Sequence, residues 1–110
     1  MTRLTAEFWV AAYLRRLALQ DIPVFVTRRG DATAGAVLVK LNTLDGRAAV
    51  WQRSFDLMTG ERAWVSLSEG GEADVDVVIE KQKGFDPDLW VIEVEDRDGR
   101  HLLGSEGLEG

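Results

Sequence analysis

Apolar and polar positions change rhythm several times along the chain, and each rhythm marks an element. Between Thr5 and Asp21 the apolar residues recur at helical spacing. Val10, Tyr13, Leu14, Leu17 and Ala18 fall on one stripe of the wheel, and Phe8, Ala11, Ala12, Leu19 and Ile22 on a second. A helix apolar on two sides is expected to be buried on more than one of them. Thr5 offers an N-cap hydroxyl, and Ile22-Pro23 ends the helix because proline disfavours the α region in the residue before it. The rhythm then shortens. PVFVTRRG reads as a strand closed by Gly30, and AGAVLVKLNTLDGRAAVWQRSF as two strands joined at Asp45-Gly46, where a two-residue turn needs positive φ at both positions. A further strand follows the DLMTG loop, with Ala63, Val65 and Leu67 alternating against Arg62, Trp64 and Ser66.

The span Glu72 to Lys83 carries two patterns. DVDVVI alternates like a strand, but Glu72, Asp74 and Asp76 would lie in the first turns of a helix, Lys81 and Lys83 in its last turn and Gly84 just past its end, as the helix dipole and C-cap favour. The charges favour the helix. After Asp86-Pro87-Asp88, LWVIEV is apolar on both faces and reads as an interior strand. Asp98-Gly99 offers a second tight turn, sending His101 to Leu103 back as a short edge. The expected fold is a two-layer α+β domain over residues 1–103, with four or five mostly antiparallel strands carrying both helices, and a flexible tail over 104–110. Its expected core is Val10, Leu14, Leu17, Phe25, Val37, Val39, Val50, Val65, Val78, Ile79, Trp90, Ile92 and Val94, with Trp64 joining Trp90 inside and Trp9 and Trp51 left open.

Composition narrows the chemistry. With 110 residues, 45% of them hydrophobic, the chain suits one core. It contains no cysteine, which excludes disulfides, thiolate metal sites and cysteine nucleophiles and fits a reducing compartment. FWVAAYL is too short for a membrane span and runs into Arg15-Arg16 without a signal-peptide cleavage site, so a soluble cytoplasmic protein is expected. The net charge of −6 is divided: residues 1–55 carry eight Lys/Arg against four Asp/Glu, for +4, and residues 56–110 five against fifteen, for −10. The halves can neutralise each other within the fold, or Arg15, Arg16, Arg28 and Arg29 can form a basic patch for an acidic partner. Nucleic acid is disfavoured, because so many carboxylates would repel its phosphates.

The motifs mostly argue against chemistry. GDATAG over Gly30 to Gly35 has phosphate-loop spacing, but Ala36-Val37 stands where Lys and Ser/Thr are needed, and a strand rather than a helix follows. Glu93 and Glu95 lie two apart on one strand face and could share a cation. The acidic run there does not fit a calcium-binding hand, which would need ligands at Val94 and Ser105. His101 is the sole histidine, and a two-residue turn at Asp98-Gly99 would set Asp96 across from it as an orienting carboxylate. Neither Ser54, Ser66, Ser68 nor Ser105 sits in a nucleophile elbow. The element order resembles that of coenzyme A acetyltransferases, but SLSEGGEA lacks the leading Arg or Gln of their pyrophosphate loop and puts acids there instead.

Two stretches, RRGDATAGAVLVKL (Arg28 to Leu41) and DPDLWVIEVEDRDGR (Asp86 to Arg100), together with the chain length, resemble an uncharacterised family of short alphaproteobacterial proteins, a domain of unknown function. The resemblance implies a small cytoplasmic α+β protein and a helix over Glu72 to Lys83, and it implies no activity, cofactor or catalytic residue. The expected function is accordingly non-enzymatic and without a cofactor: binding of another protein chain, foremost a second copy, with Phe8, Trp9, Ala12 and Leu19 of the first helix at the contact. The alternative is a transferase or hydrolase using His101 with Asp96.

Overall fold

The computed structural model describes residues 5–55, 58 and 62–104. The DLMTG connection, except for Met58, and the tail beyond Gly104 lie outside the described residues. The elements run α1 (Ala6–Leu19), β1 (Val24–Arg28), β2 (Val37–Asn42), β3 (Arg47–Phe55), β4 (Arg62–Gly71), α2 (Glu72–Phe85) and β5 (Trp90–Glu95). They form an α+β fold, two helices on one five-stranded sheet of order β1-β5-β2-β3-β4. β2, β3 and β4 make an antiparallel meander, β5 pairs antiparallel with β1, and only β2 and β5 run parallel. α2 carries the chain back so that β5 enters between β1 and β2. An interior strand must be apolar on both faces, which accounts for LWVIEV.

The helices take opposite faces, so the domain has three layers rather than the two expected. Successive side chains of a strand point to opposite faces. Val37, Val39 and Leu41 of β2 share one core with Trp9, Val10, Tyr13 and Leu17 of α1, whereas Leu38 between them shares the other with Val75 and Ile79 of α2. Both faces of β2 are buried along its whole length, and one helix cannot cover both.

Local signals explain most boundaries. Thr5 caps α1, its Oγ1 accepting the Phe8 amide at 3.2 Å. α2 extends two residues past Lys83, so Gly84 lies inside it and Asp86 closes it. The β2–β3 connection is not a two-residue turn: it spans Thr43 to Gly46, with positive φ at Leu44 and Gly46. Asn42 and Asp45 hold it, accepting the amides of Leu44 and Arg47. Phe25 and Val65 leave the expected core, because each points to the α2 face on an edge strand where α2 does not cover it, and both are exposed. Leu14 and Val78 pack at the margins of their cores.

Candidate functional site

The loop after β1 is a scaffold for α1. The Asp31 carboxylate accepts the amides of Thr33 and Ala34, and the Thr33 and Ala32 carbonyls accept the first free amides of α1, from Ala6 and Glu7. The helix terminus that a phosphate would need is thus already filled. Gly30 and Gly35 are there for space: a Cβ on either would run into the Asp88 carbonyl, and on Gly30 also into the Trp90 ring.

His101 and Asp96 do not meet as a pair. Asp96 is gripped by Arg100, which donates its backbone amide and Nε to Oδ2 at 2.7 and 3.1 Å and an Nη to Oδ1 at 3.0 Å. These bonds hold the Asp96 carboxyl below its usual pKa. The turn closes from Gly99 N–H to the Asp96 carbonyl, and among the described residues no strand follows that would place residue 101 opposite residue 96. His101 instead packs on Trp51, ring centroids 4.6 Å apart, and its Nδ1 accepts the Leu103 amide at 3.0 Å. Burial pushes its pKa below the usual histidine value. Its Nδ1 is thus engaged by the backbone of its own segment and its ring by Trp51. Its carbonyl accepts the Tyr13 hydroxyl at 2.6 Å, which ties the C-terminal segment to α1.

Behind that tie lies an aromatic cluster that the sequence did not place. Trp9 stacks on Tyr13 at 4.9 Å and meets Trp64 at 5.3 Å, with the Arg53 guanidinium 5.5 Å over the Trp9 ring. Trp9 is wholly buried, which removes it from the expected contact surface. Next to the cluster a concavity of about 310 Å³ is lined by Trp51, Arg47, Arg97, Asp45, Glu69 and Asp98 among others. Its wall carries both signs of charge and selects no single ligand chemistry.

The second polar centre is Lys40, which sequence reading passed over. It is 5% exposed, on the α2 face of β2, and its ammonium lies 2.7 Å from Glu72, 2.8 Å from Asp76 and 3.5 Å from Glu93. Asn42 donates to Glu72 at 3.1 Å and to Glu93 at 3.5 Å. Burial alone would lower the Lys40 pKa; the hydrogen bonds to Asp76 and Glu72 and the charge of Glu93 outweigh it, and the value stands above that of ordinary lysine. A lysine held charged is neither a nucleophile nor a base. Glu93, read as a cation ligand with Glu95, therefore faces an ammonium. Among the described residues no group of three or more His, Cys, Asp or Glu is arranged to hold a metal. The signal that marks this centre was a lone lysine inside the apolar run VLVKLN.

The four arginines fall into two pairs. Arg29 bonds Glu7 at 3.1 Å and lies over the Trp90 ring, and Arg28 donates to the Pro87 carbonyl at 3.0 Å. Arg15 and Arg16 are exposed on the second half of α1, about 12 Å further along its axis from Glu7 at 1.5 Å per residue. On the outer side of α1, Phe8 and Leu19 are 61% and 68% exposed, about three turns apart and so in line, with the half-buried Ala12 between them. No helix of the described residues is long and apolar enough to cross a membrane.

These features define a small α+β domain with two helices on a five-stranded, mostly antiparallel sheet. Residues 4–104 match the family described as a protein of unknown function (DUF1491), and the chain belongs to that family. It is similar to a DUF1491 family protein from Caulobacter crescentus CB15, with a crystal structure at 43% identity and a TM-score of 0.84 over 92% of this chain and 95% of that one. An NMR structure of a DUF1491 family protein from the same organism gives 42% identity and a TM-score of 0.83 over 94% of each chain. Protein Atu0922 from A. tumefaciens follows at 26% identity and a TM-score of 0.77 over 93% of each chain. No curated protein matches the chain.

Proposed function

We propose that this domain is a non-enzymatic, cytoplasmic protein-binding module that associates with another chain, foremost a copy of itself, on the side of the sheet that carries α1. The observation that carries the reading is the exposed apolar line of Phe8 and Leu19 on a helix whose inner side is already filled by Trp9, Val10, Tyr13 and Leu17. Large apolar groups in line on a small domain are favourable to cover, at about 25 cal/mol for each Å² removed from water. The absence of cysteine supports the reducing compartment. Against the enzyme alternative stand Asp96 bound to Arg100 and His101 packed on Trp51.

Sedimentation at micromolar concentration tests the reading. The expected species has twice the chain mass of 12.2 kDa, and Phe8→Glu, at a largely exposed position in the first turns of α1 where an acid suits the helix dipole, dissociates it while circular dichroism stays unchanged. A strict monomer contradicts the reading.

A further inference from the structure

We infer that the open edge of β1 is where two copies join: their β1 strands pair antiparallel about a two-fold axis at Phe25, making one continuous ten-stranded sheet with the two α1 helices on the same face. The inference rests on the reading that the protein self-associates, and it names the surface and register.

β1 is an edge strand, and the middle three of its five residues are exposed. Which of its backbone groups are open follows from its pairing with β5. The Glu95 amide donates to the Pro23 carbonyl, so Pro23 faces Glu95 as a hydrogen-bonded pair, and the next such pair is Phe25 with Glu93. Val24 and Val26 are the alternate residues, and their N–H and C=O groups point away from the sheet. An edge of unpaired amides takes an extended strand.

Backbone pairing, apolar contact on both faces and charge all favour a second β1 in one register. With the axis at Phe25, Val24 of each copy faces Val26 of the other, so the outward amides of both residues find each other and none is left over. Phe25, 50% exposed, then meets its counterpart in the close, non-hydrogen-bonded position, where Cα atoms stand about 4.5 Å apart and side chains touch. On the other face Val26, 39% exposed, and Val24 form an apolar strip beside α1. The same register sets Asp21, in the turn before β1, opposite Arg28 and Arg29 at the end of the partner's strand, which matches opposite charges at both ends of the pair. α1 runs back along β1, its Glu7 at Arg29, so the helices flank the new junction. Both edge strands carry a register shift, β1 at Val26/Arg28, just past the residues paired here, and β4 against Val50/Trp51; β4 in addition has Gly70 at φ +149.

Two substitutions separate this surface from α1. Val26→Pro removes an outward amide and leaves the β1–β5 bonds made by Phe25 in place; the expected result is a folded monomer by sedimentation and circular dichroism. Phe25→Cys introduces the sole thiol of the chain; mild oxidation is expected to convert it to a covalent dimer on non-reducing gels, since Cα atoms at that spacing suit a disulfide, while Val65→Cys on the exposed face of β4 stays monomeric there. A wild-type dimer that survives Val26→Pro and does not cross-link through Phe25→Cys, yet falls apart with Phe8→Glu, overturns the edge pairing and leaves the self-association reading standing. A wild-type protein that is monomeric throughout overturns both.

Discussion

Replacing Lys40 by methionine puts a number on the buried charge cluster. Methionine keeps most of the stem's volume, so the change removes the ammonium and little else. It leaves Glu72, Asp76 and Glu93 converging on an empty point. Removing one member of a buried ion pair costs about 3–5 kcal/mol, because its partner stays charged without a counter-ion. Here the cost is smaller, since the Glu72 and Asp76 side chains are 36% and 50% exposed and can turn to water, where screening reduces their repulsion. Glu93, at 22%, has less room, and Asn42 satisfies only part of it. The expected loss is about 2–3 kcal/mol. With a urea dependence of about 1–3 kcal/mol per molar for small domains, the unfolding midpoint should fall by roughly 0.7–3 M. Glu72→Gln should cost less, about 1 kcal/mol, because Asp76 still pairs with the lysine. A Lys40→Met midpoint at or above that of the wild type would refute the reasoning, showing that the cost of burying the ammonium exceeds what its three partners return.

Two further outcomes are expected. Stability should decline as the pH rises above about 10: the unfolded chain releases the Tyr13 and Lys40 protons near their ordinary values, whereas burial of the phenol and the carboxylates around the ammonium hold both protons in the folded state, so folding is favoured below that range and weakened above it. A melting temperature that stays flat into strong alkali would contradict this. Tyr13→Phe, which deletes the bond to the His101 carbonyl, should cost about 1 kcal/mol and speed amide exchange at Leu103, whose amide is held by His101; unchanged exchange there would mean that the segment is fixed by other contacts.

What could be read from the sequence was what short segments dictate. Thr5 starts α1, which ends at Leu19, short of the expected stop at Ile22-Pro23, with Asp21 at φ 57; acids before and lysines after set α2, and an apolar LWVIEV required an interior strand. What escaped depends on contacts distant in sequence. Both faces of β2 are apolar, so nothing within it tells which helix covers which face. Trp9 lies toward the side of α1 that meets Trp64, and the wheel cannot show that β4 brings a second indole there. The His101–Asp96 reading assumed a hairpin after Asp98-Gly99, but no strand edge awaits residues 101–103: β1 and β2 already flank β5. Lys40 was legible in principle, as a charge in an apolar run, but its three carboxylates come from two elements far along the chain.

Self-association through the α1 side and the β1 edge predicts a concentration-dependent amide hydrogen exchange at Val24 and Val26, read over a dilution series. In an isolated sheet these two amides point to water. Paired across a two-fold axis, they should exchange slowly in concentrated samples and progressively faster on dilution, in step with the fall in sedimentation mass. Fast exchange at both positions at every concentration, with Phe25 protected by its bond to Glu93 throughout, would contradict it.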